Sequence, residues 1–418
     1  MDKKKRLRRD RLQNILILAL SISAVYLFLL TASLEMELPR FPLSSVPTEE
    51  TSHSVSLLQE LDWPVTLVTH DGSNTRRYCQ FSTSAREFTS VEGLWETLFR
   101  DGFSLLSISY SEFQSALSLP GIYVSFPNPI PRCILSERLG LSSTDEQRIQ
   151  RLLLAADGDD VRFYYSDGEH FYLSHTEIAV TDLLATVAVI GGSNCSFAFQ
   201  QENSNLHPLT VLPTSLPLHP QFSAVTTSEV SDHLLSFFGF NAHTTNRYVD
   251  STGTEVIVES PRRLTISPSG RIHYLGSTSY APDGFSLSDQ SDPPLSELVD
   301  GAYHLLTQLS TDTDLRFYLS DTEYDHSSST CTLRFSRMAD GLPLVSGDGK
   351  SAAEFVIKNG IVVNCSFLHR SYSVSDTPSL LLPLPQAAAI AAQYEGMEMT
   401  LSYVDSGDDS SSVSWLMR

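Results

Sequence analysis

Basic residues are scarce in this chain and unevenly placed. The 418 residues hold 28 Lys and Arg against 49 Asp and Glu, a net charge of −21. Residues 1–14 contain seven basic and two acidic side chains, so the remainder carries −26. A body so short of cations lacks the Lys and Arg contacts that phosphates require, which excludes nucleic acid as a partner. It also repels anionic lipid and anionic polymer. Cysteine is sparse too. Cys79, Cys133, Cys195, Cys331 and Cys365 are far apart, odd in number and form no Cys-x-x-Cys. An oxidising compartment would permit a disulfide, and buried free thiols satisfy the same pattern.

Motifs that carry chemistry are missing as well. There is no Gly-x-Ser-x-Gly elbow, no His-Glu-x-x-His and no Walker loop. Ser193 follows Gly191-Gly192 without the strand-to-helix turn a nucleophile needs, and it reads as loop. Asp157-Gly158-Asp159-Asp160 lacks the ligand spacing and closing Glu of a calcium loop, as does Gly407-Asp408-Asp409. Both read as solvated turns. His170 and His175 are placed to face each other on a hairpin, but two histidines without a third ligand make no zinc site. The expectation is therefore a non-enzyme without catalytic residues, metal or cofactor.

What is present begins at the N-terminus. Behind the basic residues runs an apolar stretch, Ile15 to Leu34, with no charge and no proline. Twenty residues at about 1.5 Å each span ~30 Å, the hydrocarbon thickness of a bilayer. The basic flank predicts a single-pass anchor with residues 1–14 in the cytoplasm and everything after residue 35 outside. A cleaved signal peptide is the competing reading. The run is longer than a signal core, and Leu30-Thr31-Ala32 substitutes poorly for Ala-x-Ala. Ala19, Ser23 and Ala24 place small residues on one face, where a second helix can approach closely.

After a Pro-, Ser- and Glu-rich stalk over 35–60, the pattern predicts an α+β fold of two or three modules, each an antiparallel sheet with packed helices. The boundaries fall at 61–205, 221–290 and 291–418. The first module has a strand at Val65–Val68 and a helix over Val91–Leu98. A second helix is capped by Thr144 and runs to about Leu154. Pro120–Pro131 reads as a proline-dense loop and 201–220 as a linker. The middle module has a helix capped at Thr226-x-x-Glu229, then a meander of four strands. The last module has a helix capped by Asp292, then strands with the Asn359-Gly360 hairpin signal. A faint echo links Arg162–Asp167 with Arg316–Asp321, and Asn194–Phe197 with Asn364–Phe367, as a duplicated module would.

Residues 229–418 resemble the YycH/YycI family. The likeness rests on Gly253-Thr254-Glu255-Val256-Ile257-Val258-Glu259-Ser260, then Arg263-Leu264-Thr265-Ile266-Ser267-Pro268-Ser269-Gly270. It also rests on Gly341-Leu342-Pro343-Leu344-Val345 and Val413-Ser414-Trp415. The modules look like PepSY folds. The resemblance implies an accessory regulator of a two-component system that controls cell-wall metabolism. Its implied partners are a sensor histidine kinase and a paralogous accessory protein, met through the transmembrane helix and the exterior domains. On that reading Ala19, Ser23 and Ala24 form the helix contact. Two other classes stay open: a structural bitopic protein of the division or wall-synthesis machinery, and an extracytoplasmic hydrolase or hydrolase inhibitor. The hydrolase would need a cleft with converging His and carboxylate groups.

Overall fold

Short runs of β-branched and aromatic residues dominate the chain after Trp63, and they assemble into sheets. The computed structural model describes residues 57–418, apart from positions 74, 102, 104, 105, 202–204, 230, 242, 244, 280, 291, 311–313 and 395. The expected anchor, with Ala19, Ser23 and Ala24, lies outside the described residues. Among the described residues no helix is long and apolar enough to cross a membrane. The fold is α+β, mostly antiparallel sheet with a few helices.

The N-lobe strands are β1 (Pro64–His70), β2 (Arg76–Ser82), β3 (Leu106–Ile108), β4 (Gly121–Pro131), β5 (Arg148–Asp157), β6 (Asp160–Ser166), β7 (Phe171–His175), β8 (Ser193–Phe197) and β9 (Val211–Pro213). Among the described residues they form one sheet in the order β3-β7-β6-β5-β4-β1-β2-β8-β9. Its helices are α1 (Arg86–Asp101), α2 (Tyr110–Ala116), α3 (Arg132–Arg138) and α4 (Val180–Val189). Helix α1 buries Phe88, Val91, Trp95, Leu98 and Phe99 along one face. Helix α2 opens on a true capping box: Ser109 Oγ accepts from Glu112 N, and the Glu112 carboxylate accepts from Ser109 N.

The C-lobe strands are β10 (Pro220–Thr226), β11 (Asn246–Val249), β12 (Glu255–Glu259), β13 (Arg262–Ile266), β14 (Arg271–Leu275), β15 (Arg316–Asp325), β16 (Thr330–Ala339), β17 (Leu342–Ser346), β18 (Ala353–Lys358), β19 (Ile361–Leu368), β20 (Arg370–Pro378), β21 (Met399–Asp405) and β22 (Ser410–Met417). They share one sheet, in which β17 and β21 are parallel and the other pairings are antiparallel. Its helices are α5 (Asp232–Phe237), α6 (Leu295–Leu309) and α7 (Leu384–Ala391). Helix α6 buries Leu295, Leu298, Val299, Ala302, Leu305, Leu306 and Leu309, a continuous helical stripe. The β11–β14 meander joins the later strands through the β14–β19 pairing, so the middle and last segments share this sheet. One core cluster draws on both lobes.

Several local expectations are corrected. The segment ending near Leu154 is strand β5, not a helix, and Thr144 lies in the preceding loop. Both faces of β5 are covered. Leu152, Leu154 and Ala156 enter the main core, while Leu153 and Ala155 enter a second cluster on the opposite face. A strand buried on both faces loses its alternation and mimics a helix segment. Pro120–Pro131 is not a loop, because Gly121–Pro131 is β4, paired with β1 and β5. Pro127 and Pro129 are tolerated because they fall where the register shifts between Ser125 and Ile130, and Pro131 is the last residue of the strand.

The 201–220 linker contains β9 and buries Leu206, Leu209 and Leu212. Helix α5 is capped by Ser231 rather than Thr226, which ends β10. Asp292 does not cap α6. Pro294 sits at that N-cap, and Asp292 instead accepts from Tyr324 Oη at 2.8 Å. The duplicated strings fall on unlike strands. β6 lies between β5 and β7, whereas β15 pairs with β16 alone among the described strands.

Candidate inter-lobe binding site

Strand β5 carries two cations, Arg148 at its first position and Arg151 at the head of its apolar run. Arg151 is 4% exposed, and a charge so buried requires a partner. The partner comes from the C-lobe: Arg151 Nη2 donates to Glu398 Oε2 at 2.8 Å. Glu398 is held in turn by reciprocal backbone hydrogen bonds with Arg418, each 2.9 Å, which extend the β21–β22 ladder. Arg151 Nη1 donates to Gln150 Oε1 at 3.2 Å. Burial opposes the Arg151 charge, but Tyr123 and Glu398 outweigh it and hold the guanidinium above its ordinary range.

The ion pair forms part of the wall of a partly enclosed cavity of about 250 Å³ between the lobes. Its apolar wall includes Val65, Phe126, Pro213, Pro343, Leu401 and Trp415. Its polar wall includes Gln80, Tyr123, His207 and Thr400. Burial pushes the Tyr123 phenol up to about 12, so it stays protonated. The Tyr123 oxygen faces the donors of Ser125 and Arg151, and neither its proton nor that of Thr400 Oγ1 meets an acceptor in the protein. Burial holds the His207 imidazole below its ordinary value. Its Nδ1 accepts from Leu209 N at 3.3 Å, which assigns the neutral ring's proton to Nε2. Gln80 Oε1 accepts from Tyr78 Oη.

A second cleft of about 500 Å³ is lined by Cys79, Ser193, Ser215 and His219, among others. His219 Nδ1 is 2.7 Å from Asp340 Oδ2, so a carboxylate orients the ring. Cys79 Sγ donates to Gly191 O at 2.8 Å. None of the five cysteines is in a disulfide, and burial pushes the Cys195 thiol up to about 12.

The residues singled out in the sequence fall elsewhere or stay apart. Ser193 opens strand β8 and makes no nucleophile elbow. His170 and His175 do not face each other. His175 pairs with Arg162 at one end of the β6–β7 hairpin, while His170 contacts Asp167 at the turn, 3.3 Å away. Asp157–Asp160 is the β5–β6 turn. Among the described residues no group of three or more His, Cys, Asp and Glu side chains is placed to hold a metal ion. Arg151, Glu398, Tyr123 and His207 were not singled out. The available signal was Arg151 itself, a lone cation heading Leu152-Leu153-Leu154-Ala155-Ala156.

No family model matches the chain, and no curated protein matches it. Among solved structures, an uncharacterized protein from Eubacterium rectale ATCC 33656 is similar at a TM-score of 0.28 and 10% identity, covering 51% of this chain and 79% of that one. A likeness of that size carries no argument about fold or activity.

Proposed function

We propose that the chain is a membrane-anchored extracytoplasmic regulator of a sensor histidine kinase in a two-component system for cell-wall metabolism. It acts through its transmembrane helix and exterior body. The basic flank and the apolar run 15–34 support the anchor. The observation that carries partner binding is an apolar ribbon on an acidic body. Residues 377–394 contain no charged side chain. Leu380 is 91% exposed, Tyr394 52% and Ile390 45%, although α7 buries Ala387 and Ala391 against the lobe. Uncharged exposed apolar surface of this kind marks a protein contact. On a body carrying −26, it selects a partner face with an apolar centre and a basic rim. The exterior domain of the kinase, tethered to the same membrane, is the occupant.

The test isolates the protein from its native host in mild detergent, identifies co-purifying membrane proteins and measures kinase-dependent output. Three forms are compared: intact, Ala19→Leu with Ser23→Leu, and Leu380→Glu with Ile390→Glu. Co-purification of the kinase with the intact form, weakened by both variants with altered output, supports the reading. If no kinase appears with the intact form and output is unchanged by either variant, the division-machinery role takes its place.

A hydrolase is the second reading, favoured by His219, which lines the cleft that holds Cys79 and is oriented by Asp340. His219→Gln would then abolish a hydrolytic activity of the purified protein on wall-derived peptides. An intact protein without such activity removes this reading.

A further inference from the structure

We propose that the inter-lobe cavity binds a small uncharged ligand carrying carbonyl oxygens on an apolar body, of the class of a blocked amino acid or dipeptide. The inference follows from the donors and acceptors on the wall. Arg151 is neutralised by Glu398 across 2.8 Å, and the other cation of the wall, Arg418, is exposed to solvent and donates to Pro127 O at 3.4 Å, so the buried part of the site has no surplus cation for a carboxylate. An anion buried there without its own counter-charge is strongly disfavoured. Several acceptors near the pair are already engaged: Glu398 Oε2 and Gln150 Oε1 by Arg151, and Gln80 Oε1 by Tyr78.

The groups still open are chiefly donors. They are the hydroxyls of Tyr123 and Thr400, whose protons meet no acceptor in the protein, the Nε2–H of His207 and the amide of Gln80. Donors without a partner in the protein are matched by an incoming acceptor. Carbonyl oxygens supply that acceptor without a charge. The remaining wall, with Val65, Phe126, Pro343, Leu401 and Trp415, takes an apolar side chain. The volume of about 250 Å³ suits one or two residues and excludes a long peptide. Both lobes supply wall residues, so occupancy bridges β5 to β21. This inference stands apart from the kinase reading, because binding is measured without the kinase.

The full chain in mild detergent would be titrated with N-acetyl amino-acid methylamides bearing Leu, Phe or Pro side chains, and with the matching N-acetyl free acids. Saturation-transfer NMR reads binding, and Trp fluorescence follows Trp415. At least one methylamide is expected to saturate and to bind at least about tenfold more tightly than its free acid. Tyr123→Phe and Thr400→Val, each removing one donor while keeping shape, should each weaken it by about tenfold. Thermal melts confirm that each variant is folded. The inference is overturned if no methylamide binds the intact chain, if the free acids bind as tightly, or if both variants bind like the parent.

Discussion

Arg151 and Glu398 lie 247 positions apart and meet at 2.8 Å, joining the N-lobe sheet to the last hairpin of the C-lobe. Their side chains are 5% and 22% exposed, so neither charge is well solvated. Removing one partner strands the other. Arg151→Met or Glu398→Met alone should cost about 3–5 kcal/mol, whereas the double Met variant should recover much of that loss. Urea unfolding of the four proteins forms a double-mutant cycle that reads the coupling. Additive losses would show that the pair is not coupled in the folded state.

Asp62 makes a second junction. Its carboxylate is 1% exposed and lies 3.1 Å from Arg316 Nη1 of the C-lobe. It also accepts from Trp63 N at 3.0 Å, Thr83 Oγ1 at 2.6 Å, Ser84 N at 2.8 Å and Ser84 Oγ at 2.6 Å. Asp62→Ala leaves these donors facing an apolar gap, and about 3 kcal/mol or more of stability should go. Asp62→Asn keeps the shape and part of the bonding, so its loss should be smaller. Equal losses would mean that packing, not hydrogen bonding, sets the cost.

Elements with strong local chemistry were legible in the sequence. Asn359-Gly360 marked a hairpin, and both residues adopt positive φ, 51° and 75°, as a tight two-residue turn requires. The α6 stripe was legible because one face of that helix is buried and its period is clear. β5 and β4 were not, for different reasons. Burial on both faces erased the alternation of β5, and the bulge of β4 admitted prolines that otherwise signal loop. The candidate site was illegible because its ion pair, its donors and its apolar wall come from segments more than 200 positions apart. Only the cation inside β5 hinted that something distant had to meet it.

Gly341 shows the same division between local and distant information. Asp340-Gly341 is a local turn signal, and Gly341 has φ of 72°. Its close approach to the other lobe has no local signal. A Cβ there would stand 2.6 Å from Phe81 Cα, a backbone atom of β2 that cannot swing aside. Gly341→Ala therefore combines left-handed strain with a clash between lobes. It should cost about 1–3 kcal/mol, more than Gly349→Ala, where φ is 68° and no atom lies within 4 Å of the added Cβ. Thermal melting of the two variants separates the backbone contribution, which they share, from the clash, which only Gly341→Ala makes.

His326 gives the pH dependence a sign. Its Nδ1 lies 3.1 Å from Asp292 and its Nε2 3.3 Å from Glu146 of the N-lobe. Those hydrogen bonds, Asp292's foremost, hold the imidazole pKa above its ordinary value of 6.5. A pKa raised by folding means the contribution is fully present below about pH 6.5 and lost as pH rises through the folded value. The ring is 51% exposed, so solvent screening keeps the effect below ~1 kcal/mol. His207, His273 and His369 act in the opposite sense. Burial lowers their pKa values, so their contribution is present above 6.5 and fades as pH falls towards the folded values. The two effects overlap in the native protein, and His326→Gln separates them. The stability difference between parent and variant, from urea unfolding at about pH 6 and about pH 8.5, should favour the parent at the lower pH and shrink at the higher. A difference that stays constant across that range would show that the imidazolium does not bridge Asp292 and Glu146 in solution.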